Sequence, residues 1–350
     1  MSNVFPRQIT NPPIKAVSSD GCYIIDENGK QYFDGSGGAA VSCLGHGDPD
    51  VIKAVQDQTS KMAFAHTGFF SSDPAEELAE LLIDNAPGEL DRVYFVSGGS
   101  EAIEAAIKLA RQFHIENGEP SRHHIIARKQ SYHGNTLGAL AAGGNKWRRN
   151  QFEPILIDVS HISPCYEYVD KLKEETSFDY GQRVAQELED EILRLGSDKV
   201  MAFIVEPVVG ATMGAVPAVP GYFKKVRNIC DKYGVLLILD EVMCGMGRTG
   251  HLFASEFDEI APDILCIAKG LGAGYQPIGA MLCSKNIYNR LGKGSGFFQH
   301  GHTYMGHPVA CAAALAVLKA ILNRKLLSSI KSKSNQLFNC LETQLGHHPN

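Results

Sequence analysis

Apolar and polar residues alternate along Gly21-CYIIDENGKQYFDG, around the dipeptide Asn28-Gly29. Period two marks a strand with one covered face, and Asn-Gly is a strong hairpin turn, so a small β element is expected here. Gly35-Ser36-Gly37-Gly38 reads as a loop after it. From about residue 50 the pattern becomes helix and strand in alternation. Asp73-PAEELAELLIDNA predicts a helix with Asp73 as N-cap and Pro74 at the first helical position. Ser100-EAIEAAIKLARQF predicts an amphipathic helix with Ala102, Ile103, Ala106, Ile107 and Ala110 on one face. Glu104, Lys108 and Arg111 point the other way. Gly221-YFKKVRNICDKYG is a further helix.

Short strands are expected at Arg92-VYFV, Ile125-Ile126-Ala127, Met201-AFIV, Val235-LLIL, Asp263-ILCIA and Ile278-GAMLC. Most are apolar throughout, as strands covered on both faces must be. The fold class is therefore α/β, a mostly parallel sheet with helices on both faces. After His307, Pro308 opens a long helix, PVACAAALAVLKAIL, and a second follows, KLLSSIKSKSNQLFNCLETQL.

Composition adds little to that picture and removes several function classes. Of the 350 residues, 44% are hydrophobic and 21% charged, as in ordinary globular chains. The net charge of -6 argues against a nucleic-acid surface. The basic run Lys146-Trp147-Arg148-Arg149 reads as a solvated loop. Val309–Leu318, the longest apolar run, is too short for a membrane span of roughly 18 residues. The N-terminus has no signal-peptide pattern, and nine scattered cysteines read as reduced thiols, so a cytoplasmic chain is expected. His300 and His302 lack the Cys or carboxylate partners of a metal site.

Three features stand at the ends of expected strands, where ligand sites of open α/β sheets gather. Ser97-Gly98-Gly99-Ser100 lies between strand and helix and would aim backbone N–H groups at an anion; Ser100 as a plain N-cap is the other reading. Asp240 ends an apolar strand, where a carboxylate needs a cation or several donors, or else caps the next turn. Lys269 ends another; a buried lysine with a depressed pKa is a nucleophilic amine, whereas a snorkelling lysine is merely structural. Together, a phosphate cradle, a buried Asp and a buried Lys meet the demands of pyridoxal phosphate chemistry.

The chain also resembles the class III aminotransferases, of the fold type I pyridoxal-phosphate-dependent enzymes. The matching strings are Phe33-Asp34-Gly35, Leu44-Gly45-His46-Gly47-Asp48-Pro49, SGGSEAIEAAIKLAR from Ser97, Ser131-Tyr132-His133-Gly134, Val205-Glu206-Pro207, LDEVMCGMGRTG from Leu239, AKGLGAG from Ala268 and Thr303-Tyr304-Met305-Gly306-His307-Pro308. They span about residues 15–320 in the family's order. The resemblance implies that Lys269 holds pyridoxal 5'-phosphate as a Schiff base and later moves the substrate proton. It implies Asp240 at the ring nitrogen, Gly99 and Ser100 at the phosphate, Tyr132 and Val242 on the two ring faces, and Glu206 nearby. Thr303 is implied to reach the phosphate in a partner subunit, hence a homodimer. Arg248 is read as structural.

The implied reaction passes an amino group from an amino acid or ω-amine donor to a 2-oxo acid. The string Val159-SHISPCY lies where the family varies its substrate loop and is similar to that of members acting on ω-amino acids or diamino acids. An aminomutase, racemase or decarboxylase on the same scaffold is the rival, and a relative without full activity another. The expected divisions are residues 1–48, the N-terminal part of a small domain; 49–310, the large cofactor-binding domain; and 311–350, the start of the C-terminal small domain. The resemblance implies further residues after Asn350, including an Arg for the substrate carboxylate. The chain therefore reads as truncated, with full transaminase turnover expected to be absent and the last helix left with an uncovered apolar face.

Overall fold

The computed structural model describes residues 3–348. The hairpin expected around Asn28-Gly29 forms: β2 (Tyr23–Asp26) pairs antiparallel with β3 (Gln31–Phe33), and Gly29 sits in the turn at φ 79°. β1 (Ala16–Asp20) completes this three-stranded sheet. The expected loop after it tightens into a left-handed turn, Gly37–Ala40, with φ between 57° and 65°. That conformation is strained for Ala39 and Ala40, which carry a Cβ.

The main sheet has seven strands: β4 (Leu90–Val96), β5 (His124–Arg128), β6 (Val159–Ile162), β7 (Val200–Val205), β10 (Leu236–Asp240), β11 (Ile264–Ile267) and β12 (Gly279–Ser284). A two-stranded hairpin, β8 (Val208–Val209) with β9 (Val216–Pro217), follows β7. The sheet order is β4-β12-β11-β10-β7-β5-β6. Only β12 runs against its neighbours; it pairs antiparallel with both β11 and β4. The ends of β4, β7, β10 and β11 therefore open at one edge.

Alternate side chains of the central strands feed cores on opposite faces. Ile264 and Cys266 pack with Ile103, Ala106 and Ala110 of helix Gly99–Glu116. Leu265 and Ile267 pack with Leu78 and Leu82 of helix Asp73–Ile83 and with Cys311 and Leu315 of helix Pro308–Asn323. A third core joins β5, β7 and β10 to helices Ser177–Leu195 and Tyr222–Tyr233. This double covering is why these strands carry no polar alternation.

Three local readings change. The N-cap of helix Asp73–Ile83 is Ser72, with Asp73 as its first residue, because Pro74 fits either of the first two helical positions. Helix Gly99–Glu116 is capped by Gly98, so Ser100 lies inside the first turn and is not the N-cap. The basic run is not a solvated loop: Lys146–Arg149 forms a short helix. Lys146 and Trp147 face solvent, whereas Arg149 turns inward onto the carbonyls of Leu140, Ala141 and Gly143. On the last helix, Leu326–Leu345, the side chains of Leu337, Phe338, Leu341 and Leu345 are exposed.

Glu241, just after β10, is fully buried and accepts backbone N–H bonds from Ala254 and Ser255. Burial raises its pKa from an ordinary 4.5 to about 7. A raised carboxylate pKa gives stability that is present below 4.5 and lost as pH climbs through 7. We therefore expect Glu241→Gln to trail the native chain most at pH 5 and least at pH 7.5, the gap narrowing by roughly 3 kcal/mol at most. Denaturant unfolding at both pH values measures this; a pH-independent gap would count against it.

Candidate active site

The strand ends surround a cavity of about 900 Å³. Lys269, Asp240, Gly99, Ser100, Tyr132, Glu206 and Val242 all line it. Thr303 does not; it is exposed in the segment leading to helix Pro308–Asn323.

Lys269 leaves β11 with φ 46°, a left-handed conformation uncommon for a side chain of its size. It is half-buried, and its ammonium donates to the Ala39 carbonyl at 3.1 Å. The strained turn at residues 37–40 thus presents its carbonyl to the lysine. Burial lowers the Lys269 pKa; the Asp240 charge opposes this, and the nearby Arg248 guanidinium adds to it. Arg248 itself donates to the Ala40 carbonyl at 3.0 Å, which ties the same turn down from its other end.

Asp240, 4% exposed, divides its oxygens. Oδ1 accepts the Val242 N–H at 3.0 Å, which is the turn-capping role. Oδ2 lies 2.8 Å from Nδ1 of His133. With Asp240 ionised, that bond requires the hydrogen on Nδ1. His133 is buried, and its Nε2 has no partner among the described residues. The sequence reading assigned no role to His133, although it adjoins Tyr132; the structure places it in the cavity wall against Asp240.

Glu206 is also buried. Its oxygens accept from Tyr132 N at 3.3 Å and Gly210 N at 3.2 Å, so it fixes the backbone that carries Tyr132. Burial raises its pKa; His133 and Arg128 counter this, and the Asp240 charge adds to it. Arg128, fully buried, anchors the same strand end by donating to the Glu206 carbonyl at 2.6 Å.

The Gly99–Ser100 turn is tightly packed among residues that line the cavity. A Cβ on Gly99 would come within 2.7 Å of Val242 Cγ1. The Ser100 hydroxyl accepts the Asn135 N–H at 2.9 Å. Gly134 packs so closely that a Cβ there would meet Ser100 Oγ at 2.6 Å. The turn can offer first-turn N–H groups and a hydroxyl to an anion. This donor set suits a phosphorylated, cationic, aldehyde-bearing heterocycle: anion cradle, carboxylate, aromatic and aliphatic faces, and an amine of lowered pKa.

Sheet order and site together define a pyridoxal-phosphate-dependent transferase of fold type I. The Aminotransferase class-III family matches residues 4–349, and the chain belongs to that family. An uncharacterized aminotransferase of Schizosaccharomyces pombe is 46% identical over 339 residues, 97% of this chain and 74% of that protein. The acetylornithine aminotransferase of Clostridium acetobutylicum is 38% identical over 325 residues, 93% of this chain and 76% of that protein. Among solved structures, a thermostable (S)-enantioselective omega-transaminase from Thermomicrobium roseum superposes with TM-score 0.94 at 37% identity, covering 99% of this chain and 78% of that one. The omega transaminase of Pseudomonas jessenii, in complex with PMP, superposes with TM-score 0.94 at 32% identity, over 99% and 78% of the two chains. The chain is a class III aminotransferase using pyridoxal 5'-phosphate for amino-group transfer.

Proposed function

We propose that the amino group passes from an amino acid or ω-amine donor to a 2-oxo acid in two half-reactions, with Lys269 as the catalytic residue. The observation that carries this is the half-buried Lys269 amine, of lowered pKa, sharing one cavity with buried Asp240. Gly99 and Ser100 would hold the cofactor phosphate, Tyr132 and Val242 its two ring faces, and Asp240 its ring nitrogen. When bound, the cofactor supplies an electron sink for the pair left as a substrate C–H bond breaks.

The protein's own groups do the rest. Lys269 Nζ, neutral at a lower pH than an ordinary lysine, takes the proton from the amine-bearing carbon. The Ala39 carbonyl orients that nitrogen. His133 holds the Asp240 carboxylate in place through Oδ2, and the Val242 N–H does so through Oδ1. Glu206 is a positioning residue, acting through the Tyr132 backbone.

The same reading includes a homodimer in which Thr303, exposed and outside its own cavity, reaches the partner's phosphate. It includes a cytoplasmic location, which the nine free cysteines support. No helix among the described residues is long and apolar enough to cross a membrane. It also keeps the division at residues 48 and 310, with the three-stranded sheet and the last helix outside the seven-stranded one.

Initial rates with donor and acceptor varied together test the two-half scheme. Parallel double-reciprocal lines are expected. Intersecting lines contradict it, as would carbon dioxide release or isomer formation without any 2-oxo acid.

A further inference from the structure

A left-handed turn built partly of alanine needs restraint from outside. Gly37 and Gly38 adopt φ 58° and 57° at no steric cost, but Ala39 at 63° and Ala40 at 65° do not. Within the turn, the N–H groups of Ala40 and Val41 donate to the Ser36 and Gly37 carbonyls at 2.9 and 2.7 Å. The Asp34 carboxylate accepts the Gly38 N–H at 2.9 Å. The Ala39 and Ala40 carbonyls, by contrast, accept no backbone N–H among the described residues. They form the unpaired, negative end of a helical turn, where cations are favoured. Two cations take them: Lys269 Nζ at 3.1 Å from the Ala39 oxygen and the Arg248 guanidinium at 3.0 Å from that of Ala40. Among the described residues Arg248 pairs with no carboxylate, so this bond is the one its guanidinium makes.

The loop that carries Arg248 also braces the backbone beside the lysine. Met246 and Gly247 precede it with φ 54° and 91°. Met246 packs on Gly270 so closely that a Cβ on Gly270 would meet Met246 Cβ at 2.9 Å. From the other side Cys43, just past the turn, donates its thiol to the Gly270 carbonyl at 3.4 Å. The turn, the Arg248 loop and the Lys269-Gly270 backbone therefore pack as one unit. A lysine amine rides on a flexible four-carbon stem, and fixing its end in advance removes much of the search that precedes reaction. The Ala39 carbonyl does that fixing, and the next carbonyl along is the one that Arg248 holds.

We propose that Arg248 is a positioning residue for Lys269: held by the guanidinium, the turn keeps the Ala39 carbonyl where it aims the amine at an incoming aldehyde. The proposal rests on the reading of Lys269 as the lysine that bonds the cofactor. Amine and aldehyde join with loss of one water, and borohydride fixes the product, so capture of pyridoxal 5'-phosphate by the cofactor-free chain can be timed. In Arg248→Met, capture on Lys269 is expected to be about three- to tenfold slower, the scale of one long side chain's lost restraint. Amide hydrogen exchange over residues 36–43 is expected to quicken about tenfold in the same variant, with the thermal midpoint near native. Arg248→Lys keeps a donor and the charge and is expected to recover part of both. In an Ala39→Gly background, where glycine holds φ 63° without a brace, adding Arg248→Met is expected to slow capture about twofold or less. Unchanged exchange in Arg248→Met, or faster exchange with native capture, overturns the proposal. Equal slowing in the Ala39→Gly background does so too, since the turn would then not be the route. Lys269→Ala is the control. Capture that survives it sinks the Lys269 reading and this proposal with it; capture lost there, with native rates in Arg248→Met, sinks the proposal alone.

Discussion

Lys269→Ala is expected to lower turnover roughly 10⁴-fold or more while leaving the fold intact. Two roles vanish at once: the nucleophilic amine and the group that moves the substrate proton, the latter alone worth about 10²–10⁴. The structural cost is small, because the half-buried ammonium makes one hydrogen bond, to the Ala39 carbonyl, worth about 1 kcal/mol. The backbone strain at φ 46° is unchanged, because alanine keeps the Cβ that causes it. Steady-state rates with donor and 2-oxo acid, beside a thermal unfolding curve, separate the two effects. Turnover within tenfold of native would refute the assignment, and so would a collapse explained by unfolding. Because burial lowers the native lysine's pKa, the acidic limb of the native pH–rate profile is expected below the ordinary lysine value of 10.5.

Asp240→Asn is expected to lower turnover about 10²–10³-fold, the usual scale for deleting one preorganised electrostatic partner. The amide can still accept the Val242 N–H through its oxygen, so the turn after β10 persists. What disappears is the negative charge, at the place where a protonated ring nitrogen would sit and against His133 Nδ1. A second consequence follows from sign. The Asp240 charge holds the Lys269 pKa up against burial, so its removal lets that pKa fall further. The acidic limb is then expected to move to lower pH in the variant. A variant with native kcat, or a limb shifted upward, would contradict the pairing.

Much of the scaffold was legible because buried strands have to be apolar on both faces. Met201-AFIV and Val235-LLIL could be read as strands from that alone, and they are β7 and β10. Direction was not legible: Ile278-GAMLC looks like its neighbours, yet β12 runs against them. Hydrophobic period carries no information about polarity of the chain. The expected cofactor residues Lys269, Asp240, Gly99, Ser100, Tyr132, Glu206 and Val242 converge on one cavity, since each ends or follows a strand at the same sheet edge. The His133–Asp240 bond escaped notice because it spans 107 residues and no local pattern encodes it. The left-handed backbone at Ala39, Ala40 and Lys269 was equally hidden, since none is glycine, the residue that would advertise it. Arg148 was lost within a charge run. Three basic residues around a tryptophan look the same whether they face water or, as here, send one guanidinium over an aromatic ring.

The central claim is that one particular amine, Lys269 Nζ, is the one that bonds the cofactor. Borohydride reduction of the purified chain loaded with pyridoxal 5'-phosphate, followed by peptide mass mapping, tests it most directly. The predicted result is the reduced cofactor's mass on the peptide containing Lys269, at near one equivalent per chain, and its loss in Lys269→Ala. Label spread over surface lysines, or concentrated on another lysine and unchanged in that variant, would contradict the account.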